Sequence, residues 1–584
     1  MTTNKTIDIP LLEQPAYTPR RLRVVVIGAG FSGLTFAHKY QHECPDLRAF
    51  VDLTIFEALD GVGGTWRVNT YPGVQCDVPA HVYAFPFDPN PNWRRFYADG
   101  DEILEYIERT CDKWDLRRHV QFRSKVLGAE WQEEQGKWKI QVESESCDGG
   151  TRREVFADVL ITAVGVLSRW KWPSIPGLHD FRGHITHSAA WDHAYDYSHK
   201  RIGIIGNGSS AIQILPQMAR LEGTQVTSFQ RGPTWITPSL GSLLGGQRIG
   251  SEKTEHGEAV NGEDEPAKGG DRLSNPVYSK ADIERFQDPE AHRTYRRMLQ
   301  QRINKGFRMF RKGSKEYHAA LEAAESLMRE RLNHDASLCD RLIPTWELGC
   351  RRLTPGDGYL ESFLLPNVHL AFSPITRITE TGIETESESG SHPLDVVICA
   401  TGFDASNIPD FPVTGRNGIA LAEKWRDEPH SYLSLACPDF PNYFLFTGPN
   451  ATVGHGALLT SLSWSADWMI KWLRKMATED IRSIVPTQSA TDDFVRYGDR
   501  IHATLTWTGA CSSWYKNHRV DGRVTATFPG SALLYRRMIA ELRPEDFEIA
   551  YCCGGPGGNR FRGIMGHGFT ADECEEDRDL AFYI

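Results

Sequence analysis

Short apolar, β-branched runs that end at or beside a glycine recur along the chain and alternate with helix-like stretches. The first run is followed by Leu34–Tyr40, whose apolar residues have helical spacing. Uniformly hydrophobic runs bounded by turn residues are typical of strands buried on both faces of a parallel sheet. The pattern predicts such strands at Arg23–Gly28, Val51–Glu57, Arg201–Gly206, Gln225–Gln230 and Leu394–Ala400. Alternating strands and helices indicate an α/β fold with parallel sheets.

Two regions interrupt this alternation. Residues 241–271 are rich in Gly, Glu and Lys and poor in apolar residues, which predicts a flexible surface loop. Residues 279–332 are rich in Arg, Glu, Ala, Leu and Met at helical spacing, which predicts a helical insertion. No repeat of solenoid period is present, so the two strand-to-glycine units indicate a duplicated fold unit and not an array.

Composition narrows the function classes. With 65 basic and 76 acidic residues among 584, the net charge is −11, which disfavours nucleic acid or an anionic membrane as the main partner. No apolar run reaches the roughly 18–20 residues that span a bilayer. The polar, proline-broken start Met1–Pro19 does not resemble a secretory signal. The twelve cysteines are scattered and form no CxxC pair, and without a secretory signal we expect reduced thiols and a cytoplasmic protein.

The first glycine-rich turn, Gly28-Ala-Gly30-Phe-Ser-Gly33, stands between a predicted strand and a predicted helix. Glycines at this spacing permit a tight turn and let a pyrophosphate approach the helix N-terminus. Glu57 ends the next predicted strand, where a carboxylate can accept hydrogen bonds from ribose hydroxyls. These features together predict a dinucleotide site.

A second copy of the turn is Gly206-Asn-Gly208-Ser209-Ser210-Ala211, with alanine at the helix-packing position. The strand that follows ends in Gln230-Arg231 and not in an acid. A cation at this place suits a 2′-phosphate and favours NADPH over NADH. The alternative is that Arg231 is an ordinary surface arginine.

Two dinucleotide sites in one chain indicate FAD and NADPH as cofactors. We expect two Rossmann-like domains: an FAD-binding domain from residues 1–175 and 383–584, the latter including the C-terminal tail, and an NADP-binding domain from residues 176–240 and 333–382. Residues 241–332 form the loop and the helical insertion between them. A disulfide reductase would need a close dithiol, and the adjacent Cys552-Cys553 has poor geometry for one. The electron acceptor is therefore expected to be oxygen or an organic substrate.

Two longer motifs resemble the fingerprints of Baeyer–Villiger monooxygenases. Phe181-Arg-Gly-His-Ile-Thr-His187-Ser-Ala-Ala-Trp191-Asp192 matches FxGxxxHxxxW(P/D), and Gly63-Gly-Thr65-Trp66-Arg-Val-Asn-Thr-Tyr-Pro-Gly-Val-Gln75-Cys-Asp77 matches GGxWxxxx(F/Y)P(G/M)xxxD. The resemblance extends from about Arg21 to Ser531. Related flavin-containing and N-hydroxylating monooxygenases typically lack the Trp-Pro/Asp ending.

The resemblance implies the catalytic residues. Arg352, in Cys350-Arg351-Arg352, falls at the family's active-site arginine, and Asp77 at the aspartate that orients it. Arg351 stands where lysine is common and is expected to hold the NADPH 2′-phosphate. Cofactor contacts are further implied for Thr65, Trp66, Gln75, Tyr83 and Trp514, and for Gln75, Tyr83 and Trp514 a packing role is the alternative.

Several histidines receive other interpretations. His187 and Trp191 lie on the segment that couples cofactor binding to domain rearrangement in such families, so His187 is not expected to act as a general base. The loop Thr447–Gly456 is expected to approach the flavin ring, whereas His455 in it can face solvent. His38 and His42 have HxxxH spacing, but no acid of an HExxH motif lies between them and no third ligand is evident, so no metal site is expected.

The implied reaction uses NADPH, FAD and O₂ to insert one oxygen atom beside a ketone carbonyl, giving an ester or lactone. The segments Gly522–Ser531 and Arg560–Arg562 resemble fungal members that act on polycyclic or polyketide ketones, which favours a bulky secondary-metabolite ketone. A sulfur- or nitrogen-oxygenating monooxygenase on the same scaffold is the main alternative, and a non-catalytic flavoprotein is the third. The sequence does not predict the oligomeric state.

Overall fold

The computed structural model describes residues 9, 11–145, 150–238, 275–387, 390–552, 559–581 and 584. Its α-helices are Phe31–His38, Thr65–Val68, Gly100–Lys113, Ser209–Arg220, Lys280–Phe286, Pro289–Lys305, Lys315–Arg331, Ala336–Leu342, Tyr359–Ser362, Leu421–Lys424, Leu458–Thr478, Gln488–His502, Ala532–Met538 and Arg562–Met565. The predicted flexible loop 241–271 lies outside the described residues.

A five-stranded parallel sheet forms the core of the first unit. Its strand order is Tyr443–Leu445, Val159–Thr162, Leu22–Ile27, Val51–Phe56 and Val120–Gln121. The central strand Leu22–Ile27 is buried at every position except Arg23, which explains why its sequence is almost uniformly apolar. The strands predicted near residues 23 and 51 are confirmed, with ends one residue from those expected.

A second five-stranded parallel sheet forms the core of the second unit. Its strand order is Val368–Ala371, Gln225–Phe229, Arg201–Ile205, Val396–Cys399 and His184–His187. The strand Val396–Cys399 pairs with Arg201–Ile205 and therefore belongs to this sheet. The domain boundary expected at residues 382/383 places this strand in the FAD-binding domain. Its pairing in the second sheet shows that the expected boundary is wrong for this strand. A run of apolar residues shows that a strand is buried but not which sheet buries it.

Among the described residues, three smaller sheets lie outside these two cores. The largest consists of Val413–Thr414, Ser124–Gln132, Lys137–Ser144 and Thr151–Ala157, the last three antiparallel to one another. Another contains Ile375–Thr379, Gly382–Thr385 and Ser391–Pro393, and the third pairs Ile481–Pro486 with Phe547–Tyr551. Late strands complete both parallel sheets, since Tyr443–Leu445 joins the first and Val396–Cys399 joins the second. Each unit is therefore built from separate parts of the chain.

The predicted helical insertion is confirmed as three helices, each begun by a side-chain cap. Ser279 and Asp282 form a reciprocal capping box, and Asp288 and Ser314 accept backbone N–H groups at the next two helix starts. The insertion packs on the first unit through a buried hydrogen bond of 2.9 Å between His81 Nδ1 and His292 Nε2. Burial lowers the pKa of both rings, to about 4 for His292, so the pair is neutral at pH 7.

One expectation about the cysteines is wrong. Cys350 and Cys511, 161 residues apart in the sequence, form a disulfide. Such a pair carries no spacing signal, because the fold alone brings the two segments together. Free thiols among the described residues are Cys44, Cys76, Cys111, Cys339, Cys399, Cys437 and Cys574. Among the described helices, none is long and apolar enough to cross a membrane.

Candidate active site

The first glycine turn is shaped to receive a phosphate group at a helix start. Gly28 has a φ of +107°, and a Cβ there would lie 2.7 Å from the carbonyl oxygen of Ala163. A Cβ at Gly33 would collide with the Gly28 carbonyl, so the helix Phe31–His38 can close on the strand only with glycine at this position. Gly30 lies against Gly64, which brings the second fingerprint to the turn. The residues therefore fit the pyrophosphate of a dinucleotide.

Glu57 ties the end of the second strand to this turn. Its carboxylate accepts the Ala29 N–H at 2.7 Å and the Leu59 N–H at 2.9 Å. Each oxygen keeps a further lone pair, so the buried carboxylate can still accept a ribose hydroxyl.

The second glycine turn leaves open space at the start of the helix Ser209–Arg220. A Cβ built on Gly208 would meet no atom within 4 Å, whereas Ala211 is buried against the sheet. Ser209 is exposed and Ser210 half-buried at the helix start, where backbone N–H groups are free to bind an anion. This cradle fits the pyrophosphate of the second dinucleotide.

Gln230 supports the second turn from behind. Its amide group donates to Ser228 Oγ at 2.9 Å and to Tyr359 Oη at 2.8 Å, and its oxygen accepts from Asn207 Nδ2 at 3.3 Å. The side chain is buried and its polar atoms are engaged within the protein. We therefore expect Gln230 to act on the cofactor through Asn207.

Arg231 and Arg351 are two cations close enough for their charges to interact. Arg351 lies over the ring of Trp346 at 5.3 Å, and its Nε donates to the carbonyl of Ser512 at 2.7 Å. Burial and the nearby charge of Arg231 lower the pKa of Arg351. Neither guanidinium forms an ion pair with another described residue. Two cations that repel each other without a counterion fit a bound phosphate dianion.

Arg352 and Asp77 form a bidentate ion pair between the two units. Arg352 Nε and Nη2 lie 2.6 Å from the two carboxylate oxygens of Asp77, and Nη1 donates to the carbonyl of Val453 at 2.9 Å. The side chains are 34% and 16% exposed. The Asp77 carboxylate holds the pKa of Arg352 well above its usual range, so the guanidinium stays charged. Tyr515, fully buried, also contacts Arg352, whose charge opposes the rise that burial gives the pKa of Tyr515.

The segment that carries Asp77 lies between the two nucleotide units. Tyr71 Oη donates to Gln213 Oε1 at 2.8 Å, and Gln213 Nε2 donates to the carbonyl of Gln75 at 2.9 Å. The Gln75 side chain instead faces Asp99, with 3.0 Å between Nε2 and Oδ1. Gln213 belongs to the helix of the second turn, so these bonds couple the second fingerprint to the second unit.

The same fingerprint begins with the short helix Thr65–Val68. Thr65 is exposed, whereas Trp66 is buried and donates from Nε1 to Tyr83 Oη at 3.2 Å. Burial raises the pKa of Tyr83, so its hydroxyl stays protonated and can donate a hydrogen bond. Trp514 is half-buried, with its ring 4.6 Å from that of Tyr515.

The histidines singled out in the sequence have structural surroundings. His187 is fully buried, stacks on Trp170 at 4.4 Å, and burial lowers its pKa to about 4. Its ring is therefore neutral at pH 7 and, with so low a pKa, a weak proton acceptor. His455 is half-buried, and its Nε2 bonds to the carbonyl of Ile303 at 2.8 Å. His38 stacks on Phe87 and His42 bonds to the carbonyl of Trp114. Among the described residues there is no cluster of three metal-ligating side chains.

Sequence reasoning missed three parts of this site. Tyr515 touches Arg352, Val453 supplies a carbonyl to it, and Gln213 links the fingerprint to the second unit. Two signals were available: Tyr515 stands beside Trp514, and Val453 lies in the loop Thr447–Gly456 that is expected to approach the flavin ring. The contact of Gln213 depends on the tertiary fold.

Two parallel sheets, each with a glycine turn at a helix start, are the architecture of a protein with two dinucleotide sites. The family described as FMO-like, flavin-binding monooxygenase-like, matches residues 21–242. The FAD-binding monooxygenase tazF of Aspergillus terreus is 41% identical over 573 residues, covering 98% of this chain and 96% of the relative. The FAD-binding monooxygenase stcW of Emericella nidulans is 35% identical over 552 residues, covering 92% and 84%.

Solved structures agree with these relatives. A closed cyclohexanone monooxygenase superposes with a TM-score of 0.73 and 27% identity, covering 92% of this chain and 100% of that chain. An oxidized steroid monooxygenase bound to NADP superposes with a TM-score of 0.71 and 27% identity, covering 91% and 100%. The chain belongs to the FAD-binding monooxygenases and is an FAD- and NADPH-dependent enzyme of the Baeyer–Villiger type. The resemblance found in the fingerprints, the fold class and the two cofactors are thereby confirmed.

Proposed function

We propose that this monooxygenase acts on a bulky ketone and that Arg352 and Asp77 are its catalytic residues. The observation that carries the proposal is the bidentate contact between them, at 2.6 Å for both oxygens, between the two nucleotide-binding units. A guanidinium fixed at two points presents its remaining N–H groups in one direction.

The FAD would be held by the first turn and the fingerprint that packs on it. The residues assigned to FAD are Gly28, Gly30, Gly33, Glu57, Thr65, Trp66, Gln75, Asp77 and Tyr83. The residues assigned to NADPH are Gly206, Gly208, Ser209, Ser210, Ala211, Gln230, Arg231, Arg351 and Trp514. The uncompensated charges of Arg231 and Arg351 support recognition of a 2′-phosphate.

FAD, once bound and reduced by NADPH, supplies the activation of O₂. The protein supplies the electrostatics. Arg352 remains protonated because Asp77 stabilises its charge. The N–H groups of Arg352 stabilise the negative charge that develops on the carbonyl oxygen of the ketone and on the oxygen being transferred. Asp77 and the Val453 carbonyl hold the guanidinium in place, so it need not reorganise during the reaction.

The proposed substrate class rests on the C-terminal region and on the relatives. The segment Gly522–Ser531 lies along the loop that contains Val453, since Asn450 N–H donates to the carbonyl of Thr525 and Phe528 N–H to that of Ala451. Because the Val453 carbonyl accepts from Arg352, this pairing supports a role of the segment in binding the substrate near Arg352. The relatives at 41% and 35% identity are fungal, and one structural relative is named for a steroid. These points favour a polycyclic ketone of fungal secondary metabolism.

The test is a substrate comparison on the purified FAD-loaded enzyme. A polycyclic steroid ketone, cyclohexanone and methyl phenyl sulfide are each incubated with NADPH in air, and products are quantified by mass spectrometry. We expect kcat/KM to be highest for the polycyclic ketone, with ester or lactone as the product. Turnover of the sulfide alone at every pH would instead assign the enzyme to sulfur oxygenation. A preference for cyclohexanone would refute the bulky-substrate proposal and leave the ketone chemistry intact.

A further inference from the structure

Two segments far apart in the sequence run side by side at the cation pair. They are residues 347–352 and 509–516, and the Cys350–Cys511 disulfide joins them. On one side of the bridge, Glu347 Oε2 accepts the Ala510 N–H at 2.9 Å. On the other side, Arg351 Nε donates to the Ser512 carbonyl at 2.7 Å. The covalent link thus lies between two hydrogen bonds that connect the same segments.

The bridge is enclosed by protein. Cys350 and Cys511 are buried, and the ammonium group of buried Lys516 binds the Gly509 carbonyl two residues before Cys511. The bond holds the two Cα atoms 6.3 Å apart, near the upper end of the range a disulfide permits, so the two segments cannot separate while it is intact.

Each segment continues directly into the site. Arg351 and Arg352 follow Cys350, and Trp514 and Tyr515 follow Cys511 by three and four residues. Arg351 is repelled by Arg231 and forms no ion pair with a described residue. What holds it is the ring of Trp346 and the Ser512 carbonyl. The direction of the Arg351 guanidinium therefore depends on where the backbone after Cys511 lies.

We propose that the Cys350–Cys511 disulfide is a positioning element for cofactor discrimination. By fixing the Ser512 carbonyl beside Arg351, it holds that guanidinium toward the 2′-phosphate of NADPH against the repulsion of Arg231. Cys350 and Cys511 are positioning residues, since they touch neither cofactor nor substrate. The inference rests on the proposed assignment of Arg351 to the 2′-phosphate.

If the disulfide were only a structural crosslink, different results would be expected. Its loss would lower thermal stability and affect turnover with NADPH and NADH alike. Loss of a positioning element lowers the preference for NADPH over NADH, because only NADPH carries the phosphate that Arg351 binds. The ratio of kcat/KM for the two nucleotides therefore separates the two roles.

The experiment begins with the bond itself. Non-reduced holoenzyme is alkylated, digested and examined by mass spectrometry, and we expect a crosslinked peptide pair containing Cys350 and Cys511. Recovery of both residues as alkylated thiols would overturn the proposal. Cys350→Ser, Cys511→Ser and the double variant are then compared with wild type, and Cys437→Ser serves as a control because Cys437 is a buried free thiol in a core cluster that contains neither bridge cysteine.

We expect each single variant and the double variant to lower the NADPH/NADH ratio of kcat/KM by about tenfold, through a higher KM for NADPH. The three changes should be equal, because two residues that act only through their mutual bond are not additive. The control should lower the melting temperature and leave the ratio unchanged. An unchanged ratio in the bridge variants, or additive effects of the two cysteines, would overturn the proposal.

Arg351→Ala separates this proposal from the one on which it rests. If Arg351→Ala lowers the ratio and the cysteine variants do not, the positioning role alone is refuted. If Arg351→Ala leaves the ratio unchanged, the assignment of Arg351 to the 2′-phosphate is wrong, and the positioning role falls with it.

Discussion

Arg352 and Asp77 are 275 residues apart in the sequence, and their contact is the most specific feature of the site. Both guanidinium–carboxylate distances are 2.6 Å, so the arginine plane is fixed relative to the two nucleotide units. Since Asp77 holds the pKa of Arg352 well above its usual range, this charge persists at any pH at which the protein is folded. We therefore expect no pH dependence of turnover to arise from titration of Arg352.

Replacing Arg352 by alanine should separate the two halves of the reaction. Arg352→Ala is expected to retain flavin reduction by NADPH and to lose ester formation by about 10²–10³-fold, the usual effect of removing one preorganised donor. Anaerobic stopped-flow reduction and product analysis measure the two steps. Arg152→Ala, at an exposed arginine distant in sequence from the site, is the control. Preserved ester formation in Arg352→Ala would show that the assignment is wrong.

Asp77→Asn tests the orienting carboxylate. Asparagine keeps the size of the side chain but removes the charge, so the guanidinium loses a charge-assisted contact of roughly 1.5–3 kcal/mol. We expect ester formation to fall about 10- to 100-fold, with flavin reduction by NADPH unchanged. The same two assays apply. Normal ester formation would mean that the Asp77 carboxylate is only structural.

At the scale of elements, the sequence predicts those features that depend on neighbouring residues, namely the glycine turns and the strands before them. The glycine turns at residues 28 and 206 and the strands before them follow from apolar runs and from the steric limits on a Cβ at Gly28 and Gly33. The sheet that receives Val396–Cys399 was not predictable in the same way. An apolar strand has the same composition in either sheet, so its partner is decided by the path of the whole chain.

The second turn offers a substitution that tests the phosphate cradle without disturbing the fold. Gly208→Ala places a methyl group where no protein atom lies within 4 Å, in the space assigned to the NADPH pyrophosphate. We expect the KM for NADPH to rise about tenfold, as overpacking of a fitted contact by about 1–3 kcal/mol implies. Bound FAD should not change. KM is measured from initial rates, and flavin content from absorbance.

Gly306→Ala is the matched control, because a Cβ there also meets no atom within 4 Å and the residue lies in the helical insertion. It should leave the KM for NADPH unchanged. Equal effects of the two substitutions on this KM would show that the pyrophosphate does not occupy the space beside Gly208.

At the scale of the whole molecule, the sequence indicated the two-unit plan and the members of the charged pair. It did not indicate how the units are held together. The bond from Tyr71 to Gln213, the contact of Tyr515 with Arg352 and the Cys350–Cys511 bridge all join segments with no shared pattern. Cysteine spacing in the sequence indicates only local pairs, so it carries no signal for a bridge between residues 161 apart. These contacts join the two nucleotide-binding units into a single site, although the sequence shows each unit separately.

Isotope labelling of the product tests the central claim most directly. The FAD-loaded enzyme is incubated with NADPH, a polycyclic ketone and ¹⁸O₂ in unlabelled water, and the product is analysed by mass spectrometry. A Baeyer–Villiger monooxygenase should give an ester or lactone that carries one ¹⁸O in the newly formed C–O bond, with one NADPH consumed per product. Hydrogen peroxide formed in proportion to NADPH, with no labelled ester from any ketone offered, would contradict the account.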